Sequence, residues 1–292
     1  MLLYLVRHGQ TDLNQENIIQ GQLDTPLSDL GEEQAQKLSQ WLKLVPFTEA
    51  WSSPLKRAEQ TAKIICSKQA KCNNKVNTDE RLKARNYGEL QGKNWEEVKK
   101  CDLKQQQGSK GIESEEELSA RLHDWLSILI ETHTPITSST STPITPLLTQ
   151  SQGQAQPDFN EDNKPILQRA LSSIKGLPRP GISRNSSIST RQNQFGKSIV
   201  LCVTHQECLS SLIKILTKSN INNDNSNDDD KVSKKSPIDL HVPETISLDN
   251  KVGNTSVAIL RIWWEDDEVN GGLEPRGRLE AWGSEEHLQD DE

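Results

Sequence analysis

SIVLCVTHQECLSSLIKILT, residues 198–217, contains both halves of an α/β unit. Residues 198–204 form a short apolar run ended by polar residues, the pattern of a buried strand. After His205, the residues Leu209, Leu212, Ile213 and Leu216 recur at helical spacing. Working outward, the apolar runs at 2–6, about 49–52 and 255–263 read as further strands. Ser28 precedes a helix with Glu32 and Glu33 in its first turn and Ala35, Leu38 and Leu42 on one face. Ser53-Pro54 sets an N-cap residue before a proline at the first helical position, followed by Leu55, Ala58, Ala62 and Ile65. Ser114 and Glu117 form a capping box for a helix with Leu118, Leu122, Trp125 and Leu129. Strands alternating with helices of this length predict an α/β fold built mainly on a parallel sheet.

The chain has 292 residues and a net charge of −8, and 32% of it is hydrophobic. That fraction is low for one continuous core of this length, so a globular part with disordered additions is expected. Residues 134–197 are rich in Ser, Thr, Pro, Gln and Asn, and residues 218–250 are polar and charged. Both read as low-complexity insertions in a single domain spanning 1–283, with an acidic tail at 284–292. The insertions offer docking sites for protein partners. No window approaches 18 consecutive apolar residues, so no membrane span is expected. The opening MLLYLVRHG is too short for a signal peptide and lacks its charged start. The acidic balance, without a long Lys/Arg run, argues against nucleic acid as a partner. Five cysteines (66, 72, 101, 202, 208) form no CxxC pair, an odd count that reads as reduced cytoplasmic thiols. None lies at zinc-ligand spacing from a histidine, and the Asp-rich run 228–230 reads as a solvated loop. No metal site or cofactor is expected.

Ligands of open α/β sheets bind beyond the carboxyl ends of the strands. His8 follows the strand LLYLVR, and His205 follows SIVLCVT. Packing requires an imidazole at neither end. Arg7 adjoins the first, and Arg57 lies near the start of a helix that follows another strand. His123, His133, His241 and His287 fall on a helix face, at its end or in disordered sequence. Two Arg, two His and a helix N-terminus converging on one point describe a site for a dianionic phosphate. A neutral imidazole there is a competent nucleophile that can take the phosphoryl group and pass it to water. Surface ion pairing would account for each arginine alone, but not for the convergence.

LVRHGQTDLNQENIIQGQLDTPLSDLGEEQA, residues 5–35, resembles the opening of the histidine phosphatase superfamily, the phosphoglycerate mutase-like group. SSPLKRAEQTA, RLKARNYGELQGK, the GIES segment, VTH and VGNTS follow in that family's order. The resemblance implies a three-layer α/β sandwich with a mostly parallel central sheet, here interrupted by disordered insertions. It implies that His8 is the phosphorylated nucleophile and that Arg7, Arg57 and His205 hold the phosphoryl group. Asn14, Gln20 and Gly21 then line the substrate pocket. IIQGQLDTPLS is closer to TIGAR-type fructose-2,6-bisphosphatases and broad-range phosphatases than to the mutases, which implies hydrolysis of a small phosphorylated metabolite. Such a site needs no metal, since the arginines supply the positive charge.

One position departs from the family. Where its pattern has a Glu that protonates the leaving alkoxide, this chain has Ala84. Loss of a general acid costs about 10²- to 10⁴-fold. The chain is then a weakened phosphate-binding regulatory protein, or Glu80 or Glu89 substitutes, or Glu207 does. VTHQE puts Glu207 two residues beyond His205, which resembles the His-Ala-Glu variant of a second branch, the acid phosphatases and phytases. The plain alternative is a first-turn acid favoured by the helix dipole. Phosphoglycerate mutase activity is a further reading.

Overall fold

The computed structural model describes residues 1–69, 75–100, 111–135, 198–217, 236–249, 252–267 and 271–289. Most of the two expected insertions, the Asp-rich run, Cys72, Cys101 and the last three residues lie outside the described residues. In chain order the strands are β1 (Leu2–Arg7), β2 (Glu49–Ser52), β3 (Asn77–Thr78), β4 (Ile199–Thr204), β5 (Asp239–His241), β6 (Val257–Asp266) and β7 (Leu273–Ser284). The helices are α1 (Asp12–Gln15), α2 (Asp29–Trp41), α3 (Lys56–Cys66), α4 (Trp95–Lys100), α5 (Glu115–Thr132) and α6 (Gln206–Thr217).

The strands form one sheet in the order β3-β2-β4-β1-β6-β7-β5. Pairing is parallel from β3 through β1 and between β5 and β7, and antiparallel from β1 to β6 and β6 to β7. Successive side chains of β1 alternate between two cores, as a pleated strand requires. Leu3 and Leu5 join Leu122 and Leu126 of α5 and Leu209 and Leu212 of α6. Leu2, Tyr4 and Val6 join Leu38 of α2 and Ala58, Ala62 and Ile65 of α3. The result is the expected three-layer sandwich, with β1 and β4 buried on both faces. A satellite cluster of Ile19, Leu90 and Val98, flanked by Tyr87, Trp95 and Ile112, stands apart.

The strands expected at 2–6, 49–52, 198–204 and 255–263 are all present within a few residues. Three others were not foreseen. β3 spans two residues. β7 contains Pro275, Gly277 and four charged side chains, which hide its strand character. β5 lies within the stretch read as a polar insertion, yet Ile238 and Leu240 are core residues there. His241 belongs to this strand, and His287 is buried in a single helical turn at Glu286–Leu288.

Ser28 caps α2 through the Gly31 amide, and Ser114 with Glu117 closes the expected box on α5. Ser53 does not cap α3. That helix starts at Lys56 with Leu55 at the N-cap position, and its first amide donates instead to Asp24 Oδ1 at 2.7 Å. A carboxylate from another loop does the work expected of Ser53, whose hydroxyl accepts instead from the amide of the N-cap residue Leu55 at 3.3 Å.

Gly9 and Gly31 press the start of α2 against the turn after β1. A Cβ on Gly9 would lie 2.5 Å from Gly31 O, and one on Gly31 would lie 2.0 Å from Gln10 O. Helix propensity alone favours Ala over Gly by about 1 kcal/mol, but the backbone collision decides the sign here. Gly31→Ala should therefore lower the melting temperature and cost more than ~2 kcal/mol in urea unfolding. An unchanged melting curve would show that the two segments are not in contact.

Candidate active site

Three neighbouring parallel strands, β2, β4 and β1, end at the same edge of the sheet. Each delivers chemistry just past its last residue: Ser53 and Arg57 after β2, His205 after β4, and His8 after Arg7 on β1. Backbone bonds fix these ends together. His8 N–H donates to Thr204 O at 3.0 Å, and Ser53 N–H to Val203 O at 3.0 Å. Because β6 runs antiparallel to β1, its beginning arrives at the same edge and adds Asn254 and Thr255.

His8 Nδ1 lies 2.7 Å from Gly9 O, a carbonyl that can only accept. The ring proton therefore sits on Nδ1, and Nε2 carries the lone pair. Arg57 Nε donates to that lone pair at 3.3 Å. Burial, with Arg57 and Arg7 close by, holds the His8 pKa well below its ordinary value, so the ring is neutral at pH 7. The rest of the Arg57 guanidinium is anchored on backbone, Nη1 to Leu23 O and Nη2 to Gly21 O, each at 2.7 Å. Burial lowers the Arg57 pKa to about 10, with Glu207 and Asp24 opposing the shift. Arg7 Nη1 donates to Val252 O at 2.7 Å, while its Nε has no hydrogen-bond partner among the described residues.

His205 Nε2 shares a 2.8 Å hydrogen bond with Ser53 Oγ, and its Nδ1 has no partner among the described residues. The His8 and His205 ring centres are 5.1 Å apart. Burial and then Arg57 push the His205 pKa well down. Two neutral imidazoles and two guanidiniums, with donors to spare, make a cationic site able to take a dianion.

All eight residues singled out from the sequence, Arg7, His8, Asn14, Gln20, Gly21, Arg57, His205 and Glu207, line one cavity of about 430 Å³. Ala84 lines it too. Its carbonyl is gripped by Gln22 Nε2 at 3.2 Å and Arg121 Nη2 at 3.1 Å. Glu80 is paired with Lys83 at the surface and Glu89 is exposed, and neither reaches the cavity. Glu207, in the first turn of α6, lines the cavity, and its charge opposes the lowering of the pKa of both Arg7 and Arg57. Burial and Glu207 together raise the Tyr87 pKa, so its hydroxyl stays protonated.

Four residues of the site carry no signal of that role in the sequence. Ser53, standing before Pro54, reads there as a helix cap. Tyr87 and Trp95 form an aromatic wall built on the satellite cluster, and no periodicity marks them. Asn254 donates to His8 O at 3.0 Å. VGNTS was visible as a motif, but its position follows only from knowing that β6 is antiparallel.

The model of the histidine phosphatase superfamily (branch 1) matches residues 3–161, and the chain belongs to that superfamily. Fructose-2,6-bisphosphatase TIGAR of Mus musculus is 46% identical over 99 residues, 33% of this chain and 37% of that protein. Phosphoglycerate mutase-like protein 4 of Arabidopsis thaliana is 42% identical over 99 residues, 34% of this chain and 42% of that protein. The match thus spans well under half the length of these curated relatives. In three dimensions the chain is similar to a mycobacterial glucosyl-3-phosphoglycerate phosphatase solved with VO3, at 20% identity and a TM-score of 0.55, covering 97% of this chain and 99% of that one. It is equally similar to Bacillus stearothermophilus YhfR, at 18% identity and a TM-score of 0.55, covering 99% of both. At such identities the likeness is one of fold. Among the described residues no helix is long and apolar enough to cross a membrane.

Two outcomes follow from this geometry. Arg57→Lys removes a planar fork that binds His8 and two carbonyls at once. Vanadate affinity should fall about 10- to 100-fold, the loss of one or two charged hydrogen bonds. Equal binding would show that the anion sits elsewhere. The buried neutral histidines also set a pH dependence. Their folded pKa values lie below the unfolded value of about 6.5, so the unfolded chain takes up protons that the folded one refuses. The stability they contribute is present above about pH 6.5 and is lost as pH falls below it, by up to ~1.4 kcal/mol per histidine per pH unit. His133, raised by its hydrogen bond to Glu49, acts in the opposite sense. Urea midpoints should fall from pH 7.5 to pH 5.5, and the His8→Asn/His205→Asn double variant should flatten that fall.

Proposed function

We propose that the protein is a phosphomonoesterase that works through a phosphohistidine on His8. The observation that carries the reading is the Nδ1–H bond to Gly9 O, which leaves Nε2 as a lone pair in a cavity flanked by Arg7, Arg57 and His205. As an Nε2–P bond forms, the ester P–O bond breaks and the leaving oxygen takes a proton. Arg57 Nε, released from Nε2, turns its donor to a phosphoryl oxygen, so the charge that develops meets a donor already in place. Water then attacks phosphorus, the N–P bond breaks, and inorganic phosphate leaves.

Glu207 is the acid in this scheme. It is the carboxylate that lines the cavity beside Ala84. It gives a proton to the leaving oxygen and takes one back from the attacking water. The substrate is a small phosphorylated metabolite. The amides of Gln10, Asn14, Asn17, Gln20 and Asn254 suit the hydroxyls of a sugar, and Tyr87 and Trp95 suit its ring face. Relatives named fructose-2,6-bisphosphatase make fructose 2,6-bisphosphate the first compound to test. The free thiols Cys66, Cys202 and Cys208 suit a reducing, cytoplasmic setting. The stretch 134–197, and 218–250 outside the part that forms β5 and its flanks, serve in this reading as insertions in one domain that offer docking sites to protein partners.

A second reading, a phosphate-binding protein with weakened turnover, is favoured by Ala84. The related mutase reading predicts phosphate returned to an acceptor alcohol rather than water.

Labelled phosphomonoester followed by an alkaline quench should trap an acid-labile adduct that is absent in His8→Ala. Label persisting in that variant would place the nucleophile elsewhere. The acid is tested by leaving group, because a phenolate departs unaided and an alkoxide does not. Glu207→Gln should depress alkyl phosphate turnover by about 10²- to 10⁴-fold while sparing p-nitrophenyl phosphate, and Ala84→Glu should partly rescue it. If Ala84→Glu alone raises alkyl phosphate turnover strongly and Glu207→Gln is silent, the native site lacks an acid and the second reading holds.

A further inference from the structure

We propose that the C-terminal segment 285–288 is a strap that positions the Arg7–His8 pair, with His287 and Glu285 as positioning residues acting through the loop 252–255. The proposal rests on the function assigned above. Residues 252–255 hold that pair from behind: Val252 O accepts from Arg7 Nη1, Asn254 Nδ2 donates to His8 O, and the Thr255 amide donates to Arg7 O at 3.1 Å and His8 O at 3.3 Å. Asn254 Nδ2 also lies 3.4 Å from Asn14 Oδ1, across the cavity mouth.

The loop achieves this in an unfavourable conformation. Thr255 has φ +60°, a left-handed backbone that a β-branched residue adopts only when its surroundings impose it. The strap supplies part of that imposition. Thr255 Oγ1 donates its proton to Asn254 O at 2.7 Å, so the 2.8 Å contact with His287 Nε2 requires the imidazole to donate. His287 is thereby fixed as the Nε2–H tautomer, with a bare Nδ1 that has no partner among the described residues. Burial keeps the ring neutral, with a pKa of about 4. Its other side lies against Trp41, ring centres 6.0 Å apart, which ties the strap to α2. Glu285 adds a second hold. A Cβ on Gly253 would lie 1.8 Å from Glu285 Oε1, so the carboxylate occupies the space that glycine leaves, and its charge acts favourably on Arg7. A segment with no atom in the cavity wall thus touches two residues, Gly253 and Thr255, of the loop that sets where Arg7 and His8 stand.

The test uses the full chain and three variants. His287→Phe keeps a ring against Trp41 but removes the donor. Thr255→Gly tolerates the positive φ but removes the acceptor. His287→Gln restores an N–H near the position of Nε2. With p-nitrophenyl phosphate, His287→Phe and Thr255→Gly should each lower kcat about 10- to 100-fold, the scale of a small misplacement of reacting groups, with KM changed little. The double variant should be no worse than the poorer single, because both remove one contact, and His287→Gln should recover most of the loss. Vanadate affinity, which needs the pocket but not turnover, should weaken in parallel. Full kcat in a folded His287→Phe, or losses that multiply in the double variant, would overturn the strap. If His287→Phe does not fold, Thr255→Gly decides alone, and unchanged kcat overturns the proposal. A parent chain that binds vanadate yet never labels His8 would defeat the phosphatase reading instead, and the vanadate series would still report on the strap.

Discussion

A guanidinium buried against an imidazole lone pair sets the terms for the rest of this structure. Arg57 is 1% exposed, and burying an unpaired charge is far too costly for a folded chain to bear. The chain answers with backbone. Leu23 O and Gly21 O accept from the terminal nitrogens, and His8 Nε2 accepts from Nε. That arrangement dictates the path of residues 20–24, which must bend back over the start of α3 to present two carbonyls. It also gives Asp24 its place, close enough to take the first free amide of the same helix. The loop that encloses the cavity is thus held by the same arginine whose charge makes the cavity attractive to an anion.

The sheet supplies the other constraint. Parallel neighbours put the ends of β2, β4 and β1 side by side, and a single antiparallel strand brings a loop from the far end of the sequence to meet them. Residues about 50, 200 and 250 positions from His8 therefore converge without any long-range signal in the sequence. Both histidines are kept neutral first by burial and then by the Arg57 charge, which also makes the cavity cationic.

Much of this was legible beforehand, for physical reasons that can be named. Buried strands such as β1 and β4 are continuous apolar runs, and a histidine at the end of such a run has no packing role. Capping chemistry at Ser28 and Ser114 is local, so three or four residues suffice to see it. Where the sequence misled, the deciding interaction was remote. Ser53 looks like a cap because it stands before Pro54, but Asp24 claims the helix amide and His205 claims the hydroxyl. β7 is masked by Pro275, Gly277 and its charges, and β5 by the polar residues around Ile238 and Leu240. His287 lies in an acidic tail whose composition gives no hint of a buried ring.

Ala84 and Glu207 reach the same cavity from different elements. The loop at 82–84 is fixed by its carbonyls: Leu82 O accepts from Thr204 Oγ1, Lys83 O from Cys208 Sγ, and Ala84 O from Gln22 and Arg121. None of these bonds involves the side chain at position 84. Two of them come from residues that flank Glu207, at the end of β4 and in the first turn of α6. Glu207 and Ala84 are therefore placed by one shared set of contacts, and a carboxylate offered from either would address the same cavity. What differs is the surroundings. From α6, Glu207 stands in the fields of Arg7 and Arg57 at once.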